Sequence, residues 1–398
     1  MNKTLLLLAA LFGGIFFIFS SLEPQEKTPL IQPLKNKWEK NVPQQQIPEG
    51  LAAINAAYCG ACHPDHYAEW KTSTHAHAWT DLQFQAELKK KTSPFMCINC
   101  HIPLQNQQEY IITGLLDGDI YQPVKKENKH FDKELQKEGI TCAACHIRNN
   151  AIIGVNEISG APHKVTRDRA FLSEQLCISC HNANAMISPQ LTCSFETGDE
   201  WKAGPYFQKK NCINCHLETT NRANAYGSPV RNSHFHRFPG SGIPKTATQE
   251  SQIFNGLTFH PGKIKSAYNV GDSLHFGLIV RNELAGHKVP TGDPERFVLI
   301  TFELKNNRGL IQDTLQERIG EKWEWYPKAK KISENNLMPG EERIYTFNPM
   351  IKSKGKYSIS VKVTKHRMNQ EAADYNQLGD EYPLFITIFE ENYELIAK

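Results

Sequence analysis

Apolar residues are scarce in this chain. They make up 40% of its 398 residues, little for a polypeptide long enough to hold two or three domains. Side chains alone would give a thin core, so apolar bulk must come from elsewhere. Long hydrophobic runs are missing after the first twenty residues, so no second segment reads as a membrane span. A strong charge of either sign is missing too. The formal net charge is +3, from 45 Lys and Arg against 42 Asp and Glu, which gives no electrostatic reason to expect a nucleic-acid partner. Cysteine is absent from Gly262 to Lys398.

The cysteines that are present follow a strict pattern. Ten of the eleven fall into five Cys-x-x-Cys-His units. These are Cys59, Cys62 and His63; Cys97, Cys100 and His101; Cys142, Cys145 and His146; Cys177, Cys180 and His181; and Cys212, Cys215 and His216. This spacing is the attachment signature of c-type haem. The two thiols bond the vinyl groups, and the adjacent imidazole ligates the iron from the proximal side. Zinc ribbons pair Cys-x-x-Cys units two by two; an odd number of units, each followed at once by His, argues against them. The expectation is five covalent haem c groups carrying iron. Their propionates would make the loaded protein mildly acidic despite the apo charge. The eleventh cysteine, Cys193, reads as a buried or bystander thiol, with a redox role as the alternative.

Along the chain, residues 1–22 carry Lys3 and then an apolar run from Leu5 to Phe19. This reads as a signal peptide or, because the cleavage region is a poor match to small residues, as an uncleaved N-terminal membrane anchor. Either reading exports the body, to the periplasm or tethered to the inner membrane. Residues 23–50 contain Pro24, Pro29, Pro33, Pro43 and Pro48 and read as an extended linker. Residues 51–250 hold the five motifs on too little chain for an ordinary core, so short helices and irregular loops around haems are expected. Pro64 suits a first helical turn, and Asp65 to Lys90 reads as one helix. Residues 262–398 change character. Leu274, Phe276, Leu278 and Val280 alternate with other residues, as do Val298, Ile300, Phe302 and Leu304, and Tyr357, Ile359, Val361 and Val363. Such alternation between turn signals predicts an antiparallel β-sandwich, interrupted by a helix near Asn369 to Leu378. The fold class is therefore α + β, with two domains.

Eleven further histidines could supply the second iron ligand. His75 and His77, two apart on the predicted helix, would face opposite ways, so only one should ligate. His163 lies between the third and fourth motifs, and His234 and His236 follow the fifth. His287 lies in a turn between strands ending near Arg281 and starting near Arg296, where it could cross the domain boundary. His75, His163, His236 and His287 sit beside Gly, Pro or aromatic residues and read as distal ligands; the alternative for each is a solvated or hydrogen-bonded side chain. His66, His130 and His260 are weaker candidates. His275 and His366 read as surface or packing residues.

Cys59 to Trp79, CGACHPDHYAEWKTSTHAHAW, resembles the opening of multihaem cytochromes of the cytochrome c-554 family. That family shares its haem packing with hydroxylamine oxidoreductase and pentahaem nitrite reductase. CINCHIPLQNQ, EGITCAACHIR, EQLCISCHN, WKAGPYFQKKNCINCH, HRFPG and GHKVPTG resemble successive segments of one branch. The resemblance runs from about Tyr58 to Arg296. It implies His75 rather than His77 as a distal ligand, together with His163, His236 and His287, and it offers no counterpart for the fifth. All five motifs end in His, whereas pentahaem nitrite reductases typically carry one Cys-x-x-Cys-Lys and end in long helices. Both departures argue against nitrite reduction. Two functions remain. One is an electron-transfer cytochrome of the periplasm or cell surface, served by a membrane quinol dehydrogenase or other cytochromes. The other is an oxidoreductase of a small nitrogen or sulfur compound with one five-coordinate haem, where His130 or His234 could donate a proton.

Overall fold

The structure, a computed structural model, describes residues 29–398 apart from 91–93, 157, 159, 252 and 253. The expected signal peptide or anchor at 1–22 lies outside the described residues. Among them, no helix is long and apolar enough to cross a membrane.

Each Cys-x-x-Cys-His motif sits on a short helix: Ala56–Cys62, Phe95–His101, Cys142–His146, Glu174–His181 and Cys212–His216. Helical spacing puts the two thiols of a motif on one face. Local caps start several of these helices. The Asn55 side chain accepts from Tyr58 N, Ser173 from Gln175 N, and Asn211 from Asn214 N. The connections include more sheet than the sequence suggests. Tyr110–Leu116 pairs with Pro123–Glu127, Asn184–Ser188 with Leu191–Ser194, and Thr219–Ala223 with Val230–His234, all antiparallel.

Two expectations are corrected here. The single helix over 65–90 is two helices, Pro64–Lys71 and Leu82–Lys89, separated by a run of turns. Thr72, Ser73 and Thr74 favour local side-chain bonds over helix, and Asp81 caps the second helix by accepting from Phe84 N at 2.9 Å. His75 and His77 therefore lie in turns, not on a helix. The described part of the expected linker, 29–50, is not a free tether. Ile31 pairs with Leu116, Val42 bridges Leu104, and Glu39 and Gln45 are buried.

Strands dominate after Leu257. Leu257–Pro261, Phe276–Asn282 and Glu342–Phe347 form a three-stranded antiparallel sheet. A six-stranded sheet runs in the order Ala267–Tyr268, Phe385–Ala397, Gly355–His366, Phe297–Asn306, Ile311–Glu324 and Lys330–Glu334. The alternating residues named above are buried and share one core with residues of both sheets. Phe276 of the first sheet meets Phe302 and Tyr393 of the second, with ring centroids 5.9 and 5.4 Å apart. Leu257 brings the first strand ahead of the expected start at Gly262. The helix Gln370–Tyr375 falls inside the expected 369–378.

The strand-rich part is bonded to the motif-bearing part. The buried Tyr382 hydroxyl donates to both Asp81 carboxylate oxygens at 3.1 Å. Arg367 donates to the carbonyls of Ile243 and Pro244 at 3.1 and 2.6 Å. Lys245 pairs with Asp81.

Candidate haem sites

A cavity of about 1670 Å³ runs through the motif-bearing region and reaches the turn around His287. The motif histidines stand at the ends of their helices, and backbone carbonyls orient most of them. The Nδ1 groups of His63, His101, His146 and His216 donate to the carbonyls of Asn224, Ala78, Ile153 and Pro239 at 2.6, 2.7, 3.0 and 2.6 Å. A carbonyl can only accept, so the proton sits on Nδ1 and Nε2 is left with a lone pair for a metal.

Four of these rings face a second imidazole. Ring centroids are 6.5 Å apart for His63 and His163, 6.3 Å for His181 and His75, 6.2 Å for His146 and His236, and 6.3 Å for His216 and His287. These are the four distal candidates of the sequence, each opposite a different motif. The separations are too long for ring stacking and suit an intervening atom. Metal–nitrogen bonds of about 2.0 Å, with about 1.1 Å from nitrogen to centroid, place two axial imidazoles about 6.2 Å apart. The residues present therefore fit haem iron. His236 and His287 also donate from Nδ1, to the carbonyls of His234 and Lys288 at 3.0 and 2.8 Å. Burial pushes His75 and His236 down to about 3, and His181 and His287 down to about 4. All four rings are thus held neutral, the form that ligates metals. Thiols of different motifs also face one another: Cys59 with Cys142, Cys100 with Cys180, and Cys177 with Cys212.

His101 differs. Phe84 lies flat on its ring, 3.7 Å away and 4° from parallel, and among the described residues no second imidazole stands at a comparable separation.

The remaining histidines are placed otherwise. His77 Nε2 is 3.3 Å from Gln249 Nε2. His66 meets the rings of His63 and His236 edge-on, at 6.1 and 4.7 Å. His234 donates from Nδ1 to Leu217 O at 2.6 Å. His130 and His260 are exposed. His275 bonds Asn348 at 2.8 Å, and His366 stacks on Phe297 at 4.3 Å. Cys193 packs beside Phe95, Met96 and Leu115, and burial pushes its thiol up to about 12.

The sequence reading missed the residues that hold the segment bearing His236 in place. Glu69 accepts from the backbone N–H of His236 at 2.7 Å and forms a two-point pair with Arg222 at 2.5 and 3.0 Å. Arg222 also donates to His234 O at 2.8 Å. The two partners lie far apart in sequence, so no local pattern marks them.

A family model described as cytochrome c554 and c-prime matches residues 58–147. No curated protein matches the chain. Among solved structures, the chain is similar to a penta-heme cytochrome c552 from Thermochromatium tepidum, at 15% identity and a TM-score of 0.60. That match covers 87% of this chain and 100% of the other. The CARDB domain of the PF1109 protein from Pyrococcus furiosus matches 36% of this chain and 87% of its own, at 16% identity and a TM-score of 0.20. A beta-glucosidase from Listeria innocua matches 39% and 18%, at 13% identity and a TM-score of 0.20. Repeated attachment motifs and facing histidines fit covalently bound haem c, and the chain is similar to multihaem c-type cytochromes in the segment 58–147 and in its fold.

Proposed function

We propose that this protein carries electrons through five haem c groups, one on each Cys-x-x-Cys-His motif. Four would have two imidazole ligands, from the pairs His63–His163, His181–His75, His146–His236 and His216–His287. The observation that carries this reading is the set of four facing ring pairs at 6.2–6.5 Å. Bound there, haem irons supply one-electron exchange between ferric and ferrous states. The chain's own residues do the rest. Backbone carbonyls fix the tautomer of the ligands, the Glu69–Arg222 pair anchors the segment that bears His236, and the turn bearing His287 reaches in from the strand-rich part.

In this reading residues 257–397 form a β-sandwich domain whose turn completes a site in the haem domain. The protein belongs with the cytochrome c-554 branch of the hydroxylamine oxidoreductase superfamily. It is exported, and it exchanges electrons with a membrane quinol dehydrogenase or other cytochromes. The exposure of Cys62, in the first motif, supports an electron-exchange route at that end.

His101 favours a second reading for one centre. With Phe84 on its ring and no facing imidazole among the described residues, its iron would keep a position open to a small nitrogen or sulfur compound. Low-temperature electron paramagnetic resonance of the ferric protein tests both readings. Four low-spin signals with one high-spin signal are expected. Fewer than four low-spin signals would overturn the ligand pairs, and a fifth low-spin signal with no high-spin signal would remove the open position.

A further inference from the structure

Two cations from the strand-rich part line the haem cavity, and among the described residues neither is paired with a carboxylate, although Glu196, Glu200, Asp293 and Glu321 line a smaller pocket beside Arg296. Lys365, on the strand Gly355–His366, lines the cavity, and its ammonium donates to a backbone carbonyl, Phe254 O, at 3.0 Å. Arg296, just before the strand Phe297–Asn306, lines the same cavity and donates from Nη1 to Thr291 O at 3.2 Å. Among the described residues neither forms an ion pair. Two other lysines lining the cavity show the ordinary arrangement: Lys245 is paired with Asp81, and Lys288 with Glu334.

Buried charges are costly unless paired. Burial pushes the Lys365 ammonium down to about 8, and Arg296 acts on it in the same direction. In the strand register Lys365 stands opposite Val298, and Arg296, two residues before Val298, is its diagonal neighbour on the same face. An anion placed between them would relieve their repulsion. The cavity's own cofactor brings anions, because every haem carries two propionate carboxylates. The neighbours identify the haem concerned. Lys365 is bonded to Phe254, whose ring lies 5.3 Å from that of His216, and Arg296 is bonded to Thr291, four residues past His287.

We infer that Lys365 and Arg296 are haem-binding residues that pair with the propionate carboxylates of the haem held by His216–His287. The inference rests on the ligand pairs proposed above. It makes the strand-rich part an electrostatic half of the haem site, since charge-assisted bonds from Lys and Arg are the strong way to hold a carboxylate in a low-dielectric cavity. A cation paired with a propionate disfavours the ferric charge beside it, so its removal should stabilise the ferric state.

The test uses the haem-loaded protein with Lys365→Gln, Lys365→Arg and Arg296→Gln. Intact mass gives the haem count, electron paramagnetic resonance the low-spin count, and optical redox titration the midpoints. Lys365→Gln and Arg296→Gln should keep both counts and each move one midpoint negative. The expected shift is about tenfold in the reduction equilibrium, about 59 mV for a one-electron couple. Lys365→Arg should restore the midpoint, which a purely steric role would not. If both Gln variants keep their haems and every midpoint is unchanged, the inference is overturned. If Lys365→Gln loses a haem, retention of that haem by Lys365→Arg supports the inference, and equal loss by both overturns it. Failure of the ligand pairs themselves would appear separately, as missing low-spin signals in the unsubstituted protein.

Discussion

The two parts of this molecule solve the problem of a core in opposite ways. From Leu257 to Ala397, buried side chains of two sheets form one continuous apolar cluster. In the motif-bearing part the apolar clusters are small and separate, gathered around Leu104 and Ile147, around Phe95 and Leu115, and around Trp70. Between them lies the cavity of about 1670 Å³. Protein interiors are close-packed, with few voids larger than a water molecule, so side chains alone cannot account for this part. The strands carry their own core, and the helices borrow theirs from a cofactor.

The largest expected effect separates the two parts outright. When haem attachment is blocked in the host, residues 51–243 should lose ordered structure, and limited proteolysis should leave a resistant fragment beginning near Leu257. Mass spectrometry of the digest reads the boundary. Equal digestion of both parts would mean that the strands also depend on haem.

Next comes a cut into the strand core. Phe302 is fully buried and meets Phe276 and Phe347. Phe302→Ala should cost about 3–5 kcal/mol, seen as a lower midpoint for thermal loss of the far-ultraviolet β signal. The haem absorption bands should be nearly unchanged below that temperature. Early haem changes would show that the two cores are coupled more tightly than their packing suggests.

A third substitution acts across the boundary. His287→Ala should convert one haem to the high-spin form and open it to cyanide or nitric oxide, while His77→Ala leaves every haem unchanged. A silent His287→Ala would leave the β part to another purpose, such as partner docking.

The smallest effect concerns the polar seam. Burial raises the carboxyl of Asp81, but Lys245 beside it more than offsets this and the group ends below its usual range. A carboxyl depressed in the fold contributes stability that is complete above its unfolded value, near about 3.9. That contribution is lost as pH falls through the lower folded value. Stability should therefore fall less steeply below about pH 4 in Asp81→Asn than in the natural protein. Tyr382→Phe, which removes the donor to Asp81, should cost about 1–2 kcal/mol at neutral pH. Chemical denaturation across pH measures both.

What the sequence makes legible follows the range of each interaction. The attachment motifs can be read directly, because covalent chemistry fixes their spacing within five residues. The strand core can be read from period-two alternation, and Val298, Ile300, Phe302 and Leu304 are buried as that pattern implies. The turns bearing His75 were hidden by a helix-like stretch, and only the cap from Asp81 marks where the second helix begins. The docking of residues 29–50 depends on Leu116 and Leu104, partners distant in sequence. Lys365 and Arg296 are unremarkable in sequence; their surroundings become visible only when the strands close over the cavity.

The facing imidazoles have a further consequence, for the order of events during maturation. Each pair joins segments about 70 to 106 residues apart, so axial bonds through the proposed irons would close long loops, a cost that grows slowly with length. Were haem attached to a still-open chain, each iron would meet whichever imidazole arrives first. His66, next to both His63 and His236, and His77, two residues from His75, are near-cognate competitors. Refolding from denaturant at neutral pH should therefore pass through slow misligated species. Refolding under mildly acidic conditions, where free imidazoles are protonated, should suppress those traps and sharpen the approach to the native state.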